Sequence, residues 1–376
     1  MSAVEIQQVR SAGDRRRFLT FPWRIYAGDP LWVPALLPDR ARILDPRRGP
    51  FFRRGEAVLF LARHDDRLAG TICAAVDRAS NELAGSPEAL FGFFECIESY
   101  EVAQALLGRA ADWARARGLE SLTGPYNLDY EDGYGALIEG RDRPPVLLCG
   151  HTTAYYAPFL ERFGFTAARG DNLAFEFRLD GESQVMERVA RLAERIRRKG
   201  WITLRCADFR HWERETDVVL ELMNRALAHL PDFRPWQRDA LAALLAPFRK
   251  IADPKLILFA EAEGKTIGWF PGVPNLNETL ARLNGLRYPW DWLRLPAALL
   301  RKPRCLTVKS VLILPEYWGS GASLLLFDEM YNQARRRGYT WADLSLTSAD
   351  NPYTPQLAER FGARLYKRYR VYRMKL

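Results

Sequence analysis

The chain has 376 residues, 48% hydrophobic and 27% charged, which suits a globular protein with room for two domains. No apolar run approaches the roughly 20 residues that span a bilayer, and the N-terminus carries no apolar signal core, so a cytoplasmic protein is expected. Five scattered cysteines argue against a disulfide framework or a zinc site, and the +9 charge is uneven: Lys+Arg minus Asp+Glu is +1 over residues 1–300 and +8 over residues 301–376. Such a basic field attracts anionic partners, from nucleotide phosphates to an anionic membrane face.

Residues 1–54 are punctuated by Pro and Trp (FPWRIYAGDPLWVPALLPDRARIL, DPRRGPFF) and predict an extended arm, with an amphipathic helix over 35–44. Strands over Ala57–Arg63 and Leu68–Val76 meet at a tight turn on Asp65–Asp66. FGFFECIES reads as a strand with Glu95 and Glu98 near its end. Residues 101–117 read as a helix, with Val102, Leu106, Ala110, Trp113 and Ala114 on one face and Gly118 as its stop. The segment Gly124–Gly150 holds turn residues, three tyrosines and a cluster of carboxylates at Asp129, Glu131, Asp132 and Glu139. A short helix in AYYAPFLERFGF and an alternating strand in AFEFRLD complete a first domain, expected over 1–181. A charged helix over 182–199 opens the second, 182–376.

The second half repeats the plan with a strand over Ile202–Cys206, helices over 212–228 and 235–248, and a hairpin turning at Glu263–Gly264. An apolar, Trp-containing insert fills 275–305. Then KSVLILPEYWGSGASLLLFDEMYNQARRRG predicts a buried strand (Val311–Leu314), a turn on Pro315, Gly319 and Gly321, and a helix with Ala322, Leu325, Leu326, Met330 and Ala334 on one face. A glycine turn feeding a helix start leaves backbone N–H groups unpaired at the positive end of the helix dipole, where a phosphate or pyrophosphate is the natural guest. No Gly-Lys-Ser/Thr follows, so the Walker pattern is absent.

The two halves answer each other in letters: ARARGLE (114–120) matches ARRRGYT (334–340), and ERFGF (161–165) matches ERFGA (359–363). Gly118 to Gly164 spans 46 residues and Gly338 to Gly362 spans 24, so the first half carries about 22 extra residues, in its carboxylate- and tyrosine-rich segment.

This succession of elements resembles the GNAT acyltransferase fold taken twice: an α/β (α+β) chain of two tandem GNAT-like domains, each a mixed, mostly antiparallel sheet flanked by helices. The family's acyl-CoA motif, Gln/Arg-x-x-Gly-x-Gly/Ala, falls here on Glu316-Tyr317-Trp318-Gly319-Ser320-Gly321 and departs from the pattern at Glu316. Its second motif runs from Asn351 to Gly362-Ala363, but the usual general-acid tyrosine falls on Ala358, and on Leu160 in the first half. The phrases FPWRIYAGDPLWVPAL, GPYNLDYEDGYGALIEG, YYAPFLERFGF, VPNLNETL and NGLRYPWDWLRL look like the double-GNAT proteins that include the bacterial ceramide synthases.

The resemblance implies an acyl-CoA co-substrate without a metal, held by Ile313, Leu314, Trp318, Gly319, Ser320, Gly321, Ala322, Asn351 and Tyr353. It implies a long-chain acyl group and an amine acceptor, in some members a sphingoid base. Tyr126, Asn127, Tyr134, Tyr155, Tyr156, Asn275 and Asn277 are the candidate acceptor residues. Acyl transfer to an amine needs a base for the ammonium proton and donors for the thioester oxygen. Asp129 and Asp132 are the leading candidates for the base, with Glu95, Glu98 and His151 behind them; backbone N–H groups near Leu314 and the Gly319–Ala322 turn are the candidate donors. Trp290 and Trp292 beside Arg301, Lys302 and Arg304 predict peripheral contact with an anionic membrane. Two other classes compete: a non-catalytic acyl-CoA-binding protein, and an aminoacyl-tRNA-dependent transferase of double-GNAT build. Nucleic acid is not the expected partner.

Overall fold

The structure, a computed structural model, describes residues 4–128, 134–181, 183–229, 233, 235–351 and 353–376. In chain order its first elements are β1 (Glu5–Gln8), α1 (Ala12–Thr20), α2 (Pro22–Ile25), α3 (Leu37–Ile43), β2 (Gly55–His64), β3 (Arg67–Asp77), α4 (Arg78–Ala84), β4 (Glu88–Cys96), α5 (Tyr100–Arg115), β5 (Ser121–Gly124), β6 (Ala136–Glu139), α6 (Tyr156–Phe163), β7 (Thr166–Ala167) and β8 (Asn172–Arg178). There follow α7 (Gln184–Lys199), β9 (Ile202–Cys206), α8 (Trp212–Ala226), α9 (Arg238–Leu245), β10 (Ile257–Ala262), β11 (Lys265–Pro274), α10 (Asn277–Leu280), α11 (Pro289–Leu293), α12 (Leu295–Leu299), β12 (Cys305–Val308), β13 (Leu312–Ile313), α13 (Ala322–Arg336), β14 (Trp341–Ser348), α14 (Thr354–Arg360), β15 (Arg364–Arg370) and β16 (Tyr372–Lys375).

Two compact units result. The first is Met1–Asn172 with Leu276–Arg301 and Lys367–Leu376; the second is Leu173–Asn275 with Lys302–Tyr366. The sequence predicts one boundary after residue 181, but the chain changes unit after residues 172, 275, 301 and 366. AFEFRLD, expected to close the first half, lies in β8 and belongs from Leu173 onward to the second unit, while the C-terminal RVYRMKL supplies β16 to the first. Alternation in a strand says which side chains face a core, not which sheet the strand joins.

The first unit's sheet runs β1–β2–β3–β4–β5–β16–β7 and is antiparallel except between β4 and β5. One face of α5 (Val102, Leu106, Leu107, Ala110, Ala114) is buried against Phe60, Ile72 and Phe91, as the helical period requires. The N-terminal arm is not extended. Its Pro and aromatic residues start helices instead: Ser11 and Asp14 form a capping box on α1, and proline occupies the first turn of α2 and α3. In the second unit β8–β14–β12–β11–β10–β9 is the strand order, with β12 and β14 parallel. There α13 packs Leu325, Leu326, Met330 and Ala334 over Ile267, Phe270 and Leu306.

The last strand anchors the first unit. Tyr372 is fully buried among that unit's core residues, and its hydroxyl donates to Glu161 Oε1 at 2.9 Å. Tyr372→Ala should therefore cost about 3–5 kcal/mol, read as a lowered urea midpoint of one unfolding phase. A midpoint unchanged from the parent protein would contradict the placement of β16.

Candidate functional site

In the second unit the strand leading to the glycine turn is broken. Gly272 faces Val308 and Trp269 faces Leu312, so residues 270–271 of β11 stand opposite residues 309–311. This extra residue is a β-bulge, which bends a strand and interrupts its ladder. The parallel β12–β14 pairing reaches Val308↔Leu344, and β14 then runs on to Ser348. A gap at the carboxyl ends of parallel strands is where ligands of α/β sheets commonly sit. The turn beyond it carries Gly319 (φ +78°) and Gly321 (φ +92°), and delivers the chain to the start of α13. Trp318 and Tyr353, from the loops that precede α13 and α14, are both exposed with ring centroids 5.5 Å apart.

A polar network lies at the break. Lys309 Nζ donates to Ser345 Oγ at 2.9 Å and lies 3.7 Å from Asp343 Oδ1; Ser345 Oγ donates to Asp343, and Tyr366 OH donates to Asp343 Oδ2 at 2.7 Å. Asp343 is completely buried, and burial pushes its carboxyl above the usual range against the pull of Lys309, Ser345 and Tyr366. A buried carboxylate with three such partners is held in one geometry. Sequence reading missed this group. Its one signal is the polar Lys-Ser pair at 309–310 inside the apolar run LTVKSVLIL.

The first unit has the same bulge and a different outcome. Cys73 faces Gly92 and Thr71 faces Glu95, so Ile72 stands opposite Phe93 and Phe94. The parallel pairing with β5 ends at Leu90↔Thr123, and the exposed edge of β4 is then filled from within the unit. Tyr126 N donates to Phe91 O at 2.7 Å, and Phe93 N donates to Asn127 Oδ1 at 2.7 Å. Cys96 N donates to Tyr156 OH at 3.0 Å, and Tyr155 OH donates to Cys96 O at 2.8 Å. A Cβ on Gly92 would lie 1.7 Å from the Tyr126 carbonyl oxygen, so only glycine permits this approach.

Two sheets bulged at the same point beside a parallel strand pair form a tandem repeat, and known proteins share it. No family model matches the chain. It is 29% identical over 379 residues to the bacterial ceramide synthase of Caulobacter vibrioides (strain NA1000 / CB15N), covering 98% of this chain and 97% of that protein. Protein YghO of Escherichia coli (strain K12) is 27% identical over 364 residues, covering 96% and 92%. A tandem GNAT protein from the clavulanic acid biosynthesis pathway matches with a TM-score of 0.58 at 12% identity, covering 99% of this chain and 98% of its own. A GCN5-related N-acetyltransferase from Sphaerobacter thermophilus gives 0.54 at 16%, covering 99% and 95%. The chain is thus similar over nearly its whole length to this ceramide synthase and shares the tandem GNAT fold.

Within this double-GNAT chain several expected site residues serve other ends. Leu314 N donates to Ile267 O at 2.9 Å, so this N–H is already paired within the sheet, and Ile313 O accepts from Trp318 Nε1 at 3.0 Å. A Cβ on Gly321 would meet Ile196 Cδ1 at 2.4 Å, so this glycine accommodates the packing of α7. No atom lies within 4 Å of the same position on Gly319. Ser320 Oγ accepts from Ala322 N at 3.2 Å, and Asn351 Oδ1 caps the next helix by accepting from Tyr353 N and Thr354 N at 3.0 and 3.2 Å. Of the candidate acceptor residues, Tyr126 (through its backbone N–H), Asn127, Tyr155 and Tyr156 hydrogen-bond along β4, and the Tyr126 hydroxyl accepts from Arg169 Nη2 at 3.2 Å. Tyr134 packs its ring on Tyr126 at 5.2 Å. Asn277 Nδ2 donates to Pro145 O at 3.0 Å, while Asn275 is buried with its N–H on Cys305 O.

Of the candidate bases, Asp129 and Asp132 lie outside the described residues, and Glu98 is exposed on the loop after β4. Glu95 and His151 are brought together around Tyr26. Glu95 Oε2 accepts from Tyr156 OH at 2.7 Å and from Tyr26 OH at 3.0 Å, and Tyr26 OH is also 3.0 Å from the His151 carbonyl. His151 Nε2 lies 2.8 Å from Asp29 Oδ2, and Nδ1 is buried without a partner. Burial lowers the imidazole's pKa despite Asp29, so the ring is held neutral with Nε2–H on Asp29.

Burial also lifts the Glu95 carboxyl from 4.5 to about 7, opposed by the two tyrosine hydroxyls and Arg40. Folded Glu95 therefore keeps its proton to about pH 7, whereas the unfolded group loses it near 4.5. The stability this group provides is complete below the lower value and is lost as pH rises through the higher one, on the order of 3 kcal/mol. Glu95→Gln should flatten the decline of the urea midpoint between these two pH values. A variant that keeps the parent's slope would show that Glu95 titrates normally.

Proposed function

We propose that this chain is an acyl-CoA-dependent N-acyltransferase that moves a long-chain acyl group to a primary amine of the sphingoid class. The observation that carries the reading is the contrast between the two strand gaps. In the first unit, side chains and backbone of the same unit fill the edge of β4. In the second, the equivalent gap ends at a glycine turn, a helix start and the half-buried Lys309. The pantetheine arm of acyl-CoA is an extended, amide-bearing chain, and such chains pair with strand edges. Its pyrophosphate suits the first turn of α13, where helix geometry leaves N–H groups without intrahelical partners. The ceramide synthase named above supplies the acceptor class.

In the reaction the amine nitrogen bonds to the thioester carbon and the C–S bond breaks; the nitrogen gives up two protons on its way from ammonium to amide, and the departing thiolate takes one. The tyrosine that serves as acid in GNAT proteins is Ala358 here. Lys309, oriented by Ser345 and Asp343, is the proposed proton donor to the thiolate. Asp129 and Asp132 are the proposed acceptors of the proton lost before attack; the second nitrogen proton restores Lys309 after it has protonated the thiolate, and one proton is released per turnover.

The test is turnover with palmitoyl-CoA and sphinganine, followed by free-thiol release and by mass detection of the N-acyl product. Lys309→Met should lower kcat by roughly 10²–10⁴-fold with acyl-CoA affinity retained. Gly319→Val should instead weaken acyl-CoA binding at least tenfold, because a branched side chain then stands over the helix start. Stoichiometric acyl-CoA binding without product from any amine would favour a binding protein. RNase-sensitive activity would favour the tRNA-dependent class. Near-parental turnover by Lys309→Met would move the proton donor elsewhere.

A further inference from the structure

The segment Leu276–Arg301 carries an outward apolar face. Among the described residues twelve large apolar side chains are exposed, and five of them fall between residues 290 and 300: Trp290 (56%), Trp292 (49%), Leu293 (81%), Leu299 (61%) and Leu300 (85%). They sit on α11 and α12, two consecutive five-residue helices whose other side is fixed to the first unit. Leu283, Leu286 and Ala298 form a buried cluster beneath them. Asp291 is buried and caps α11 by accepting from Tyr288 N at 2.9 Å and Asn284 Nδ2 at 3.3 Å, while Asn284 Oδ1 accepts from Trp23 Nε1 at 2.7 Å. The face is thus a rigid, anchored surface. Leucines this exposed lack a covering partner among the described residues, and contiguous apolar surface of this kind marks an interaction site.

Charge chooses the partner. The acidic residues of the segment are Glu278, half-buried, and Asp291, fully buried, whereas Arg282, Arg294 and Arg301 are exposed. Every exposed charge of the segment is therefore basic. Tryptophans and leucines flanked by arginines match a bilayer surface, with rings at the headgroup level, leucines among the first methylenes and guanidinium groups on anionic headgroups. No helix among the described residues is long and apolar enough to cross a membrane, so contact through this face would be peripheral.

We infer that α11 and α12 form a docking surface for an anionic lipid bilayer. The inference stands on the first unit alone and does not depend on acyl-transfer chemistry. It also gives that chemistry a location: long-chain amines and amides partition into bilayers, so a docked enzyme meets its acceptor and deposits its product there.

The full chain is mixed with vesicles of phosphatidylcholine alone or with phosphatidylglycerol, and bound protein is measured by flotation at low and high salt. Binding should require phosphatidylglycerol and fall with salt. Arg294→Glu and Arg301→Glu should each weaken it about fivefold or more. Leu293→Glu with Leu300→Glu, at positions so exposed that folding is untouched, should weaken it more than tenfold. Brominated lipids should quench tryptophan fluorescence in the parent protein and less in Trp290→Phe/Trp292→Phe. Equal flotation with neutral and anionic vesicles, or parental binding by the double leucine variant, would overturn the inference. So would concentration-dependent dimers, seen without lipid, that the leucine variant abolishes; they would assign the face to a second copy of the chain.

Discussion

A bulged strand beside a diverging parallel neighbour leaves backbone N–H and C=O groups that must find partners. Both units of this protein face that constraint, at Phe93–Phe94 in the first and at residues 309–311 in the second. Unmet backbone groups are costly when buried, so each unit had to answer it. The first answers with its own residues: Tyr126, Asn127, Tyr155 and Tyr156 occupy the edge that a ligand would otherwise use. That answer also explains why Gly92 is a glycine, since the Tyr126 carbonyl comes closer than any Cβ allows.

The second unit places a polar network at the same point. Lys309 and Ser345 lie 36 residues apart and meet at the strand break, with Asp343 held beneath them. Burying an ammonium and a carboxylate is expensive unless both are well paired, so such a network is weak as a stabiliser and stronger as a positioning device. In the first unit, burial has a comparable effect on Glu95. Its carboxyl is drawn toward neutral pH by burial, against the pull of the two tyrosine hydroxyls, although its sequence position suggested only an acid at a strand end.

The arginines and tryptophans near residue 300 show the same division between local and wider effects. Composition places apolar and basic residues together, but whether tryptophans lie in a core or on a surface depends on what covers them. Here Asp291, Asn284 and Trp23 hold the underside, which leaves the leucines of α11 and α12 on the outside.

By itself the sequence determined most of the elements and their kind, the helices of the N-terminal arm excepted. Both hairpins turn where Asp65–Asp66 and Glu263–Gly264 predict, with positive φ at all four residues, and α5, α7 and α13 follow the apolar period. The repeated ERFG phrase and the ARARG/ARRRG pair were enough to reveal a doubled plan. Tertiary structure alone decided three things. It assigned β8 and β16 to their units, because alternation is a local property and sheet membership is not. It brought Tyr126, Asn127, Tyr155 and Tyr156 to one strand edge, because a backbone N–H, hydroxyl or amide binds whichever partner the fold brings within about 3 Å. And it assembled Lys309, Asp343, Ser345 and Tyr366, whose chemistry is invisible until a bulge and two distant strands bring them together.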